Sequence, residues 1–150
     1  MTRTMSLAGT TLELVERGHG RPLLFLHPGE GLAPEKPWLE LLSRRYRVIA
    51  PWHPGFGNSP LIDGSGSVDD VAYLYLDLAA ELKLENAVLV GACFGGWIAA
   101  EMMVRSTPTF PGCSAFCSEP TRRGHWSGNP AWRRPAYTVL SARAVNRGLV

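Results

Sequence analysis

The sequence has no apolar run near the roughly 20 residues that span a bilayer, so no membrane partner is expected. Residues Met1 to Ser6 lack the charged-then-apolar pattern of a secretion signal. Cysteine is scarce. Three in 150 residues, an odd number, do not make a disulfide framework. A cytoplasmic, reducing compartment is the expectation. There is no internal repeat and no low-complexity block. Aspartate is absent after Cys93, where the acids are Glu101 and Glu119 and the one histidine is His125.

Lysine is absent after residue 105. Residues 1–105 carry nine Lys/Arg against twelve Asp/Glu, a net of −3, whereas residues 106–150 carry six Arg against Glu119, a net of +5. The later stretch also holds five of the twelve prolines. The chain is therefore divided into a folded part, 1–105, and an irregular basic tail, 106–150, expected to be poorly ordered or non-homologous. The tail has no aromatic-interleaved basic motif and no recognisable reader of bases, so no nucleic acid partner is expected.

What is present suits a packed core. The chain is 45% hydrophobic, too apolar for wholesale disorder. Thr11 to Val15 alternates apolar and polar residues, as a half-buried strand does. Leu23 to Leu26 is a continuous apolar run, suited to a central strand covered on both faces. Pro37 to Ser43 reads as a short helix with Trp38, Leu41 and Leu42 on one side. Tyr46 to Ala50 is the next strand, and His53 to Gly66 a loop. Val68 to Leu84 reads as a helix capped by Ser67, with Asp69 and Asp70 in its first turn. Ala87 to Val90 is a strand and Phe94 to Arg105 a helix. Alternating strands and helices imply an α/β fold on a parallel sheet. Beyond Ser106, Cys113 to Cys117 reads as one weak strand and Tyr137 to Val145 as a short helix.

The chemistry concentrates at Val90-Gly91-Ala92-Cys93-Phe94-Gly95-Gly96, which joins a strand to a helix. Gly-x-nucleophile-x-Gly in that context makes a nucleophile elbow. Gly91 and Gly95 let the two backbones approach, and Cys93 projects above the sheet. A helix N-terminus beneath it favours a thiolate. The N–H of Phe94 is a candidate oxyanion donor. A second donor is expected from His27-Pro28-Gly29-Glu30-Gly31. Pro28 has no N–H, so Gly29 comes first, with Glu30 next. The Glu30 carboxylate either orients water or Cys93 or faces solvent. The bland reading of Cys93 is a small buried thiol.

Residues 11–105 resemble the N-terminal half of the α/β-hydrolase superfamily. The matching pieces are Leu23 to Gly29, Pro51-Trp52-His53-Pro54-Gly55-Phe56-Gly57-Asn58-Ser59-Pro60, and the elbow. The middle piece resembles the family's Asp-x-x-Gly-x-Gly-x-Ser loop, with His53 near the acid's usual position. The resemblance implies hydrolysis of an ester, amide, lactone or related bond of a small-molecule substrate through a covalent intermediate, without a cofactor, and a cysteine nucleophile suits thioesters, esters or lactones. The sequence departs from the family in having Cys93 where the elbow serine stands. A Gly-x-Cys-x-Gly-Gly elbow is similar to dienelactone hydrolases, but the flanking residues look more like esterases or carbon–carbon bond hydrolases.

The family order nucleophile, acid, histidine is met formally by Cys93, Glu119 and His125. The spacing is poor. Three further strand–helix units would need about 90 residues, and 45 follow Arg105. The expectation is a hydrolase-like core truncated after the elbow helix, as from a shortened or frame-shifted gene, whose open sheet edge favours self-association. Two alternatives stay open: a small-molecule binding relative on the same fold, and an inactive fragment. Cys113, Cys117 and His125 supply at most three metal ligands, so no metal is expected. His27 and His53 are read as braces of their loops, and Trp38, Trp52 and Trp97 as core or pocket lining.

Overall fold

The structure, a computed structural model, describes residues 1–33, 35–62, 67–106, 110 and 112–116, the last five by their backbone. The chain runs β1 (Thr2–Leu7), β2 (Thr10–Arg17), β3 (Arg21–Leu26), α1 (Lys36–Ser43), β4 (Tyr46–Pro51), α2 (Val68–Glu81), β5 (Val88–Ala92), α3 (Phe94–Arg105) and β6 (Gly112–Phe116). The strands form one sheet in the order β1-β2-β4-β3-β5-β6. Strands β4, β3, β5 and β6 are parallel, with Leu24 opposite Ile49, Leu26 opposite Gly91 and Gly91 opposite Ala115.

The sheet is mixed rather than wholly parallel. β1 pairs antiparallel with β2, and β2 antiparallel with β4. Strand β1 is an addition to the sequence reading. It joins β2 through Ala8 and Gly9, both at left-handed φ (48° and 79°), the conformation of a two-residue hairpin turn whose twist matches the strands. The weak strand read at Cys113–Cys117 is present as β6, one residue earlier.

Apolar side chains of β3 divide between two clusters. Leu24 and Leu26 join Ile49 and Leu89 beneath α2 and α3, whereas Leu23 and Phe25 join Val48, Val90 and Leu39 of α1. Both faces of the central strand are covered, as its unbroken apolar run requires. The crossover through α1 leads one way from β3 and the crossover through α2 leads back past it. Right-handed connections then put the helices on opposite faces. The reversal falls at the carboxyl ends of β3 and β5, the position at which open α/β sheets hold ligands.

Helix α1 faces the sheet with Leu39, which is buried, while Trp38 and Leu41 point to solvent. This corrects the Trp38–Leu41–Leu42 face read from the sequence. The stripes 38/41/42 and 39/42 lie side by side, and eight residues are too few for periodicity to choose between them. Helix α2 begins as read. Ser67 Oγ accepts from Asp70 N–H at 3.2 Å, and Ser67 N–H donates to Asp70 Oδ2 at 3.2 Å, a reciprocal capping box. It ends at Glu81 because Lys83 turns to φ 50°. Leu84 N–H then donates to Ala79 O at 2.8 Å and Lys83 N–H to Ala80 O at 3.0 Å, the paired bonds of a Schellman stop.

Candidate active site

Cys93 stands between β5 and α3 at φ 50°, ψ −110°, a conformation that L residues rarely take. The neighbouring glycines explain how it is held. A Cβ on Gly91 would lie 2.3 Å from the carbonyl oxygen of Gly95, and one on Gly95 would lie 2.1 Å from that of Leu26. The start of α3 therefore rests directly on the ends of β5 and β3, which any side chain would prise apart. Cys93 is half-buried. Phe94 is the first residue of α3, in the turn whose N–H groups face out along the helix axis. The tight strand-to-helix turn read at Cys93 is present.

The loop after β3 is pinned from within. His27 and Pro28 are buried, Gly29 is half-buried and Glu30 is exposed. Pro28 O accepts from Gly31 N–H at 3.0 Å and from the His27 ring at 2.6 Å. Glu35 feels the charge of Glu30. Its carboxyl is raised, first by burial and then by that neighbour. Of the two readings of Glu30, exposure agrees with the solvent-facing one.

The loop after β4 is tied to β2. Glu13 N–H donates to Ser59 Oγ at 2.9 Å, Ser59 Oγ–H to Trp52 O at 3.0 Å, and Asn58 N–H to Glu13 Oε2 at 2.9 Å. Ser59 is buried at 3% exposure, so its hydroxyl needs these partners. The Trp52 ring lies between two glycines. A Cβ on Gly31 would come within 2.9 Å of it, and one on Gly57 within 2.7 Å. One indole thus spaces the β3 loop from the β4 loop. Trp97 instead donates to Glu101 Oε1 at 3.3 Å, and Glu101 pairs with Arg105 at 2.7 Å. Trp38 is exposed.

His27 and His53 join the two loops. His53 N–H donates to His27 Nε2 at 2.9 Å. That nitrogen is therefore bare, and His27 Nδ1–H is the donor to Pro28 O. His53 Nε2 faces His27 O at 2.8 Å and must donate to it, so His53 Nδ1 accepts from the Tyr75 hydroxyl at 2.5 Å. The imidazoles stack at 3.7 Å, and the Phe94 ring meets His53 edge-on at 5.4 Å. Both rings are neutral. Burial lowers His27 to about 4 against the pull of the Pro28 carbonyl. Burial, and then the proximity of His27, hold His53 well below its usual range. Burial holds the Tyr75 hydroxyl well above its own. These are bracing bonds. All four ring nitrogens are occupied by them.

Cys93, Phe94 and the loop carrying Gly29 and Glu30 thus meet at the carboxyl ends of adjacent strands. Glu119, His125 and Cys117 lie outside the described residues. Among the described residues, no group of three His, Cys, Asp or Glu side chains could hold a metal ion, and no helix is long and apolar enough to cross a membrane. Sequence reasoning missed Tyr75. It falls in the apolar stripe of Val71, Leu74 and Leu78, and only its phenolic oxygen signals a need for a polar partner inside the core.

Comparison with known proteins agrees with this geometry. The alpha/beta hydrolase fold model matches residues 21–134. The AB hydrolase superfamily protein YisY of Bacillus subtilis (strain 168) is 38% identical over 102 residues, covering 63% of this chain and 36% of that protein. The 2-hydroxymuconate semialdehyde hydrolase of Pseudomonas sp. (strain CF600) is 33% identical over 108 residues, covering 69% of this chain and 38% of that protein. A meta-cleavage product hydrolase from Pseudomonas fluorescens IP01 superposes with a TM-score of 0.69 at 27% identity, over 75% of this chain and 43% of that one. The chain therefore spans well under half the length of these relatives. With the tight turn at Cys93, the mixed sheet and the family match in agreement, the chain belongs to the alpha/beta hydrolase fold family.

Proposed function

We propose that this chain carries the nucleophile and oxyanion half of a hydrolase acting on an ester, thioester, lactone or related bond of a small molecule. The observation that carries the reading is the backbone of Cys93, held at φ 50° by glycines that tolerate no Cβ, with the side chain left half-buried. Such strain is stored where it aims a reactive group. The Cys93 sulfur attacks the substrate carbonyl carbon, and the oxygen takes the electron pair. The N–H groups of Gly29 and Phe94 hold that oxyanion. Collapse breaks the bond to the leaving group, which takes a proton, and leaves a thioester that water hydrolyses.

His27 and His53 have no ring nitrogen to spare, so the base is another group, for which the sequence order offers His125 with Glu119. Hydrolase names among the relatives support the reaction class. The test is a burst of nitrophenol from a nitrophenyl ester, equal to the enzyme concentration and lost in Cys93→Ala. Rapid alkylation of Cys93 by iodoacetamide near neutral pH is the expected companion result. No burst, with alkylation no faster than that of a free thiol, would leave the fold as a binding relative.

A further inference from the structure

We propose that Tyr75 is a positioning residue for the oxyanion loop, acting through His53 and His27 to orient the N–H of Gly29. The inference rests on the reading of Gly29 as an oxyanion donor. It concerns a buried phenol and two imidazoles that the proposed chemistry does not consume.

The argument runs along the hydrogen bonds. Tyr75 is fully buried in the cluster beneath α2 and α3. A phenylalanine would fill the same space without a polar atom to satisfy. The Tyr75 hydroxyl donates to His53 Nδ1 at 2.5 Å and so anchors the ring whose Nε2–H holds His27 O at 2.8 Å. The return bond, from His53 N–H to His27 Nε2 at 2.9 Å, puts the His27 proton on Nδ1, where it holds Pro28 O at 2.6 Å. Pro28 O and Gly29 N–H belong to one planar trans peptide, so they point in opposite directions. With Pro28 O fixed by His27 Nδ1–H and by Gly31 N–H at 3.0 Å, the direction of Gly29 N–H is fixed too. The same chain leans on the elbow, since the Phe94 ring packs edge-on against His53 at 5.4 Å. A donor aimed before substrate arrives needs no reorganisation during reaction.

Tyr75→Phe removes one oxygen and tests this. Acylation of Cys93 by a nitrophenyl ester uses the oxyanion donors, whereas alkylation by iodoacetamide is a displacement at saturated carbon and uses none. In Tyr75→Phe the acylation rate is expected to fall at least about tenfold, with alkylation unchanged. Acylation unchanged, or both reactions slowed equally, would overturn the proposal. A wild-type chain that alkylates but never acylates removes the Cys93 reading instead. The loop is then read by nitrogen-15 spectra. Wild type is expected to show His53 protonated on Nε2 and His27 on Nδ1, and Tyr75→Phe to move the Gly29 amide resonance. The opposite tautomers in wild type, which require no variant to fold, or an unmoved Gly29 amide would each overturn the proposal.

Discussion

His53 donates two hydrogen bonds to His27: its N–H to His27 Nε2 at 2.9 Å, and its Nε2–H to His27 O at 2.8 Å. The pair must be neutral to do so, because a proton on His27 Nε2 would face an N–H donor. Burial lowers His27 from 6.5 to about 4, and His53 is lowered in the same sense. Between those values the unfolded chain binds protons that the folded chain does not. Stability is therefore complete above about pH 6.5 and falls as pH drops toward 4, by about 3 kcal/mol for His27 alone. Glu35, whose carboxyl is raised, works weakly in the opposite direction. Urea unfolding at pH 7.5, 6.0 and 5.0 should show the midpoint falling across a range where ordinary carboxylates stay ionised. A flat profile would place charge on these rings.

The second prediction concerns the seam between helix and sheet at the elbow. Gly95→Ala puts a methyl 2.1 Å from the carbonyl oxygen of Leu26, where only backbone can give way. It should cost at least about 3 kcal/mol. Gly9→Ala is the control. It has a left-handed φ of 79° and nothing within 4 Å of the added atom, so it should cost about 1 kcal/mol from conformation alone. Equal losses in denaturant unfolding would refute the close approach.

A third prediction follows from the end of α2. Lys83 occupies the left-handed position of the helix stop at φ 50°, where glycine is at no disadvantage. Lys83→Gly should stabilise the chain by about 1 kcal/mol, read as a rise in the thermal midpoint. A drop would show that the lysine stem contributes more than its conformation costs.

Lys83 also shows why parts of the fold were hidden from the sequence. A helix that stops on lysine, with Leu82 and Leu84 continuing the apolar spacing, gives no local sign of its end. Strand β1 was hidden for a similar reason: its turn is Ala8-Gly9, without the asparagine or aspartate that marks such hairpins, and Met5 and Leu7 are its only apolar residues between Thr2 and Leu7. By contrast, β3, β4 and β5 were legible because each is an apolar run cut off by a loop with glycine or proline. The boundaries of α3, Phe94–Arg105, agree with the sequence reading because Gly95 and Arg105 bracket it chemically. The tight turn at Cys93 was legible because its glycines are a local requirement. The Tyr75–His53–His27 chain was not, because it joins residues 22 and 26 positions apart, and pairing at that distance is decided by the fold.

The last prediction separates the sulfur of Cys93 from its backbone. Cys93→Ala and Cys93→Gly both remove the nucleophile, so both should abolish the ester burst. Only the glycine also relieves the positive φ of 50° at ψ −110°. Strain of this kind costs about 1–3 kcal/mol. Cys93→Gly should therefore unfold at a higher denaturant concentration than Cys93→Ala by an amount in that range, with the same denaturant slope, so that the change is assigned to the folded state. The two variants would be equally stable if the elbow relaxed once the side chain was gone. A difference in favour of glycine means that the bend is imposed by the packing of β5, α3 and β3, which stabilise a conformation the residue itself disfavours.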